Sequence, residues 1–193
     1  VERAEIQRIE ERAEAVLAAV PDYVWDGRGL PVPVEDIADD EFSLLVRDVE
    51  DLSTAPDCPP IEPGQSLSGL LLADRREIWV DADEARQWPP RRRFTIAHEL
   101  GHWILHQNGQ SSLFCRRGTV DPDERDAPEQ PERPALPAIE EEANLFAAAL
   151  LMPRRTLQRL YRATEGEPDR FHRLCSVFGA SGAAMSRRLR RVI

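Results

Sequence analysis

Three residues near the middle of the chain, His98, Glu99 and His102, set two imidazoles around a carboxylate in the spacing HELGH. On a helix, histidines four apart stand one turn above each other, so both rings can reach one metal ion while the adjacent glutamate turns toward the ion's open side. Zinc held by three protein ligands keeps one position for water and lowers the pKa of that water from about 15.7 to about 7. Glu99 is then placed to act as general base, taking the water's proton as it attacks a peptide carbonyl and passing it to the departing amine. The alternative is two histidines lining a buried helix face beside a solvated Glu99, because three fixed residues in five also occur by chance.

A three-ligand site needs one more donor, and "AIEEEANLFAAALLMP" offers Glu140, Glu141 and Glu142 at the start of a second helix. Residues three and four apart share a helix face, which separates these candidates. Glu140 lines up with Ala143, Asn144 and Ala147, whose small side chains let two helices approach closely. Asn144, one turn on, can accept from the second ring nitrogen of a metal-bound histidine. Glu142 lines up with Leu145, Phe146 and Ala149 and reads as packing. Glu140 is therefore the preferred third ligand and Glu142 stays open as the other choice; an acidic cluster complementing the helix dipole would also explain all three.

The remaining chemistry-bearing residues read more plainly. His106 extends the histidine ladder, but the rise of about 12 Å over eight residues is more than ligands about 2.1 Å from one ion can span, so it is assigned to the helix end or the cleft wall. His172 has no partner signal, and Trp103 reads as core. Cys115 in "SLFCRRG" reads as a half-buried small apolar residue near the end of the metal helix, with a redox or zinc-blocking thiolate as the sharper alternative. Cys58, Cys115 and Cys175 are odd in number and form no CxxC pair, so neither a disulfide framework nor a cysteine zinc site is indicated.

The elements that must position these residues follow from periodicity and breakers. Ile6, Ile9, Ala13, Val16, Leu17 and Val20 mark an N-terminal helix ended at Pro21, "VEDIA" a short helix and "FSLLVRDV" a strand. "LSGLLLADRREIWVDAD" reads as a hairpin turning at Asp74-Arg75-Arg76, and its edge is the expected docking place for an extended substrate. Pro89 and Pro90 break the chain before a metal-binding helix of about four turns with Gly109 as its stop. Residues 116–137, rich in Pro, Asp, Glu and Arg, read as a mobile acidic loop that restrains activity until it moves. A helix ended by Pro153 and a final helical region follow. The resulting expectation is an α+β fold with a small antiparallel sheet on a helical core: residues 1–160 as the main domain and 161–193 as a helical extension.

With 193 residues the chain can bury a substantial core without disulfides. A charged N-terminus and the lack of a long apolar run predict a soluble, unexported, cytoplasmic protein with no membrane partner, and the absence of an initial Met suggests a start upstream. A net charge of −10 argues against wholesale attraction to nucleic acid. The C-terminal "SVFGASGAAMSRRLRRVI" has the form of a helix-turn-helix end, with Ser181 as a cap. Its Arg187, Arg188, Arg190 and Arg191 are read as complementing the helix dipole, and direct DNA binding is not expected.

"RRRFTIAHELGHWILH" and "EEEANLFAAALLMP", in this order, resemble the ImmA/IrrE metallopeptidases, with weaker support from "LPVPVEDIA", the hairpin and "FGASGAAMSRRLRRV". The resemblance covers most of residues 30–190. It implies a compact zincin-like relative of thermolysin-type enzymes, with Zn2+ bound by His98, His102 and a glutamate of EEEAN, and Glu99 as general base. It also implies a protein substrate: a helix-turn-helix repressor encoded nearby, whose cleavage induces stress-response or mobile-element genes. The long acidic insertion departs from the family pattern. A different reading is a non-catalytic regulator that uses the same scaffold to bind a protein partner or DNA.

Overall fold

The computed structural model describes residues 1–56, 58, 66–106, 112–117 and 138–193. The N-terminal helix α1 (Arg3–Ala19) buries Ile9, Ala13 and Val16, the three- and four-residue steps read from its sequence. Helix α2 (Val34–Phe42) ends where Ser43 adopts a left-handed conformation and its N–H bonds Asp39 O. Strand β1 (Leu45–Val49) follows at once.

The hairpin is present as β2 (Ser66–Leu72) and β3 (Glu77–Asp81), joined through a short turn at Ala73–Arg75. The sheet is mixed rather than antiparallel, because β1 lies parallel to β3, with Leu45 opposite Glu77 and Val49 opposite Asp81. β2 pairs antiparallel both with β3 and with β4 (Ser112–Arg117), in the order β1-β3-β2-β4. Periodicity reveals strands but not their neighbours, and here β3 folds back between β1 and β2. The hairpin is thus interior, and among the described residues the edges of the sheet are β1 and β4. Strand β4 carries little alternation of its own and owes its form to pairing along β2. It also moves the start of the acidic tract: residues 116 and 117 end β4, and 118–137 lie outside the described residues, as does Gly109.

Both faces of β2 are covered. A register irregularity between Leu67 and Gly69 puts Leu67, Leu70 and Leu72 on one side, against Leu52, Ala55 and Trp79. Leu71, with Ile78 and Val80 of β3, joins the main core. Helix α4 (Pro89–Leu105) lies on that side of the sheet, preceded by α3 (Ala82–Gln87), a helix that the sequence reading passed over. Asp81 caps α3 by accepting from the Glu84 N–H at 2.7 Å. Pro89 and Pro90 start α4 instead of interrupting it, since proline suits the first helical turn.

Three consecutive arginines fix the N-terminal half of α4 to different neighbours. Arg91 pairs with buried Glu84 of α3. Arg92 binds Glu35 of α2 at 2.6 Å and Asp48 of β1 at 2.8 Å. Arg93 donates to Val32 O at 2.6 Å. Beyond them every residue from Thr95 to His102 is buried, because α4 is enclosed between the sheet and helix α5 (Ala138–Leu151), on which α1 also packs. Helices α6 (Arg154–Ala163), α7 (Arg170–Phe178) and α8 (Gly182–Val192) complete the chain. Leu157, Leu174, Phe178, Met185 and Val192 belong to the same buried cluster as Ile9 and Leu100. Ser181 caps α8, accepting from the Ala184 N–H at 3.2 Å. Arg188, read as a dipole-complementing surface residue, is instead buried and bonded to Glu10 of α1 and to Met152 O at 3.0 Å. Among the described residues no helix is long and apolar enough to cross a membrane.

Candidate metal centre

The HELGH segment occupies the most enclosed stretch of α4, where His98, Glu99 and His102 are 1 %, 0 % and 0 % exposed. Two close approaches put it there. Gly101 lies against α5: a Cβ at this position would stand 3.1 Å from Phe146 Cδ1 and 3.3 Å from Ala143 Cα, so any side chain here would need its neighbours to give by a few tenths of an ångström. Gly69 of β2 plays the same part on the sheet side, where a Cβ would stand 2.3 Å from Thr95 Cγ2 and 3.4 Å from Glu99 Oε1. The space left by the missing side chain at Gly69 is taken by the Thr95 methyl, with the Glu99 carboxylate in ordinary contact beside it. A glycine inside the apolar strand "SLSGLLL" was the available signal for that contact.

His98 Nε2 and His102 Nε2 are 3.0 Å apart and face the same point. Glu140, in the first turn of α5, faces them, with Oε2 3.2 Å from His98 Nε2 and Oε1 3.4 Å from His102 Nε2. The ligand atoms of His98, His102 and Glu140 all lie within 4.8 Å of one another, and this group could hold a metal ion. Two imidazoles and one carboxylate match the donor set that zinc accepts, with a fourth position left for water. Asn144, one turn beyond Glu140, meets His98 Nδ1 with its Oδ1 at 3.1 Å, as helix phase suggests. Glu142 does not pack against the core: its Oε2 lies 2.9 Å from His106 Nε2, while His106 Nδ1 lies 3.1 Å from His102 Nδ1.

The electrostatics follow from enclosure. Burial, and then the charge of Glu140, push the Glu99 carboxyl well above the ordinary carboxylate range. Both Glu99 oxygens are buried and have no hydrogen-bond partner among the described residues, the state of a carboxylate kept for something other than the fold. Burial pushes the Glu140 carboxyl up, but hydrogen bonds from His102 and His98 and the charges of those rings outweigh it and hold the group at about 2. For His102 burial prevails, and its imidazole is lowered despite the Glu140 hydrogen bond. Both effects favour the forms a cation needs, an ionised carboxylate and a neutral ring.

His106 thus stands beside the three-residue group and outside it, as expected. Trp103 is partly buried, with the Arg76 guanidinium over its ring at 5.8 Å, and His172 is exposed beside Phe171. Cys115 belongs to β4 and not to the helix end.

No curated protein matches the sequence. Among solved structures, a Mycobacterium tuberculosis transcriptional regulator is similar at 18% identity with a TM-score of 0.47, over 97% of this chain and 47% of its own. The chain spans about half the length of that regulator. The Peptidase_M78 family, described as the IrrE N-terminal-like domain, matches residues 70–190, a stretch that begins in β2, includes both the HELGH helix and the EEEAN helix and ends in α8. This chain belongs to that family.

Proposed function

We propose that the protein is a zinc-dependent endopeptidase of the ImmA/IrrE type, acting in the cytoplasm on a helix-turn-helix transcriptional repressor and so releasing stress-response or mobile-element genes. The observation that carries this reading is the convergence of His98, His102 and Glu140 beside a buried Glu99 without a hydrogen-bond partner among the described residues. His98, His102 and Glu140 would hold the ion, which when bound supplies Lewis acidity and a water of lowered pKa. Glu99 takes the proton of the attacking water and delivers it to the leaving nitrogen, a role for which a carboxyl raised by burial is suited. Asn144 keeps the His98 ring in one orientation. An extended substrate would be held by β-addition along β4, the edge on the β2 side among the described residues, since the hairpin strands are already paired on both sides.

Incubation of the zinc-loaded protein with a helix-turn-helix repressor encoded next to it tests the reading. Wild type is expected to cleave, and Glu99→Gln to lose about 10²–10⁴-fold in rate, the usual worth of a general base. Equal rates for the two proteins would remove Glu99 from the chemistry. A wild type that binds the repressor and leaves it intact would point to a regulatory module without catalysis.

A further inference from the structure

His106 and Glu142 have no place among the ligands, yet they are held in one hydrogen-bonded line with His102. His106 is the residue at which α4 ends, its N–H still bonded to His102 O at 2.9 Å. Its Nδ1 faces His102 Nδ1 at 3.1 Å, and its Nε2 faces Glu142 Oε2 at 2.9 Å. His106 is 13 % and Glu142 24 % exposed at the side chain, so the line is largely shielded from water.

With an ion held at the Nε2 atoms of His98 and His102, only one distribution of protons among neutral rings serves the contacts behind His102. For His102 Nε2 to present a lone pair to an ion held with His98 and Glu140, its proton must sit on Nδ1. That N–H then donates to His106 Nδ1, which must be unprotonated. The His106 proton therefore sits on Nε2 and is donated to the Glu142 carboxylate. His98 is served separately by Asn144. We propose that His106 and Glu142 are positioning residues that hold His102 in the tautomer and ring orientation a metal ion requires. The two ligand histidines are thereby oriented by different devices, an amide for His98 and an imidazole-carboxylate pair for His102. This rests on reading His98, His102 and Glu140 as a metal centre.

Two measurements test it. In zinc-loaded wild type, nitrogen-15 NMR of the imidazoles should show His102 protonated on Nδ1 and His106 on Nε2. In zinc titrations against a chromophoric chelator, His106→Leu and Glu142→Leu should each weaken binding about 10–100-fold, as removal of a ligand's orienting partner does. Glu142→Gln, which keeps an acceptor for the His106 N–H, should remain within about threefold of wild type. The visible spectrum of the cobalt-substituted protein should change in the two leucine variants and not in Glu142→Gln, a pattern that loss of packing alone would not produce. A His106 ring protonated on Nδ1, or leucine variants with wild-type zinc affinity, would overturn the assignment while leaving the metal centre intact. A wild type that binds no zinc would overturn the metal centre itself and the relay with it.

Discussion

Glu99 is buried completely, without a partner for either oxygen among the described residues, and such a group costs stability wherever it is ionised. Its folded carboxyl is raised above the ordinary 4.5, so its contribution to stability is fully present below that value and is lost as pH rises through the folded pKa. In chelator-treated protein, Glu99→Gln should therefore be more stable than wild type by about 1 kcal/mol or more at pH 8, the cost of an unpaired buried charge exceeding that of an amide. The gain should shrink toward pH 4. Urea unfolding at both pH values checks this, and a gain that does not depend on pH would mean the carboxyl is not raised. A residue that weakens the fold where chemistry is proposed is the usual conflict between stability and activity. Much of this residue-level arrangement is legible in the sequence: helix phase separates Glu140, which faces His98 and His102, from Glu142 and puts Asn144 beside His98. Glu142 itself was misread, because phase along one helix gives a direction and cannot reveal that His106 is waiting there at the end of another.

At the scale of elements, the centre depends on how closely α4 lies to α5 and to β2. Gly101→Ala tests this, since alanine normally stabilises a helix interior by about 1 kcal/mol relative to glycine. Here the added methyl meets Ala143 backbone at 3.3 Å and the Phe146 ring at 3.1 Å, and the backbone contact is relieved only by shifting α5 by a few tenths of an ångström. The substitution should instead destabilise by about 1–3 kcal/mol, the range for overpacking, and thermal unfolding would reveal the sign. Stabilisation would show that the helices are less tightly opposed. The helices were legible because each repeats its apolar residues at three- and four-residue steps or carries a clear breaker. The sheet was legible only as a hairpin and one further strand. Which strand lies beside which is decided by long-range pairing, so β1 running parallel to β3 and β4 lying beside β2 left no local trace.

At the scale of the whole molecule, Arg188 ties the C-terminal helix to both the first helix and the end of α5. Its guanidinium is 1 % exposed, with Glu10 receiving Nη2 at 2.9 Å and Met152 O receiving Nε at 3.0 Å. Glu10→Ala leaves that charge buried and unpaired and should cost about 3–5 kcal/mol in urea unfolding. Replacing both Glu10 and Arg188 by Met should cost less than Glu10→Ala alone; a loss within about 1 kcal/mol for the single variant would mean the pair is screened as at a surface. In sequence Arg188 looked like one of four arginines on a last helix, because only the folded chain distinguishes the face turned inward. The same assembly brings α5 against α4 and so sets Glu140 beside His98 and His102; that these three hold a metal ion is the proposal on which the rest depends. Zinc titration of wild type and Glu140→Ala tests that claim most directly. One ion per chain is expected in wild type and, for Glu140→Ala, a loss larger than the about 10–100-fold of an orienting residue. Glu140→Ala that binds zinc as tightly as wild type would contradict it.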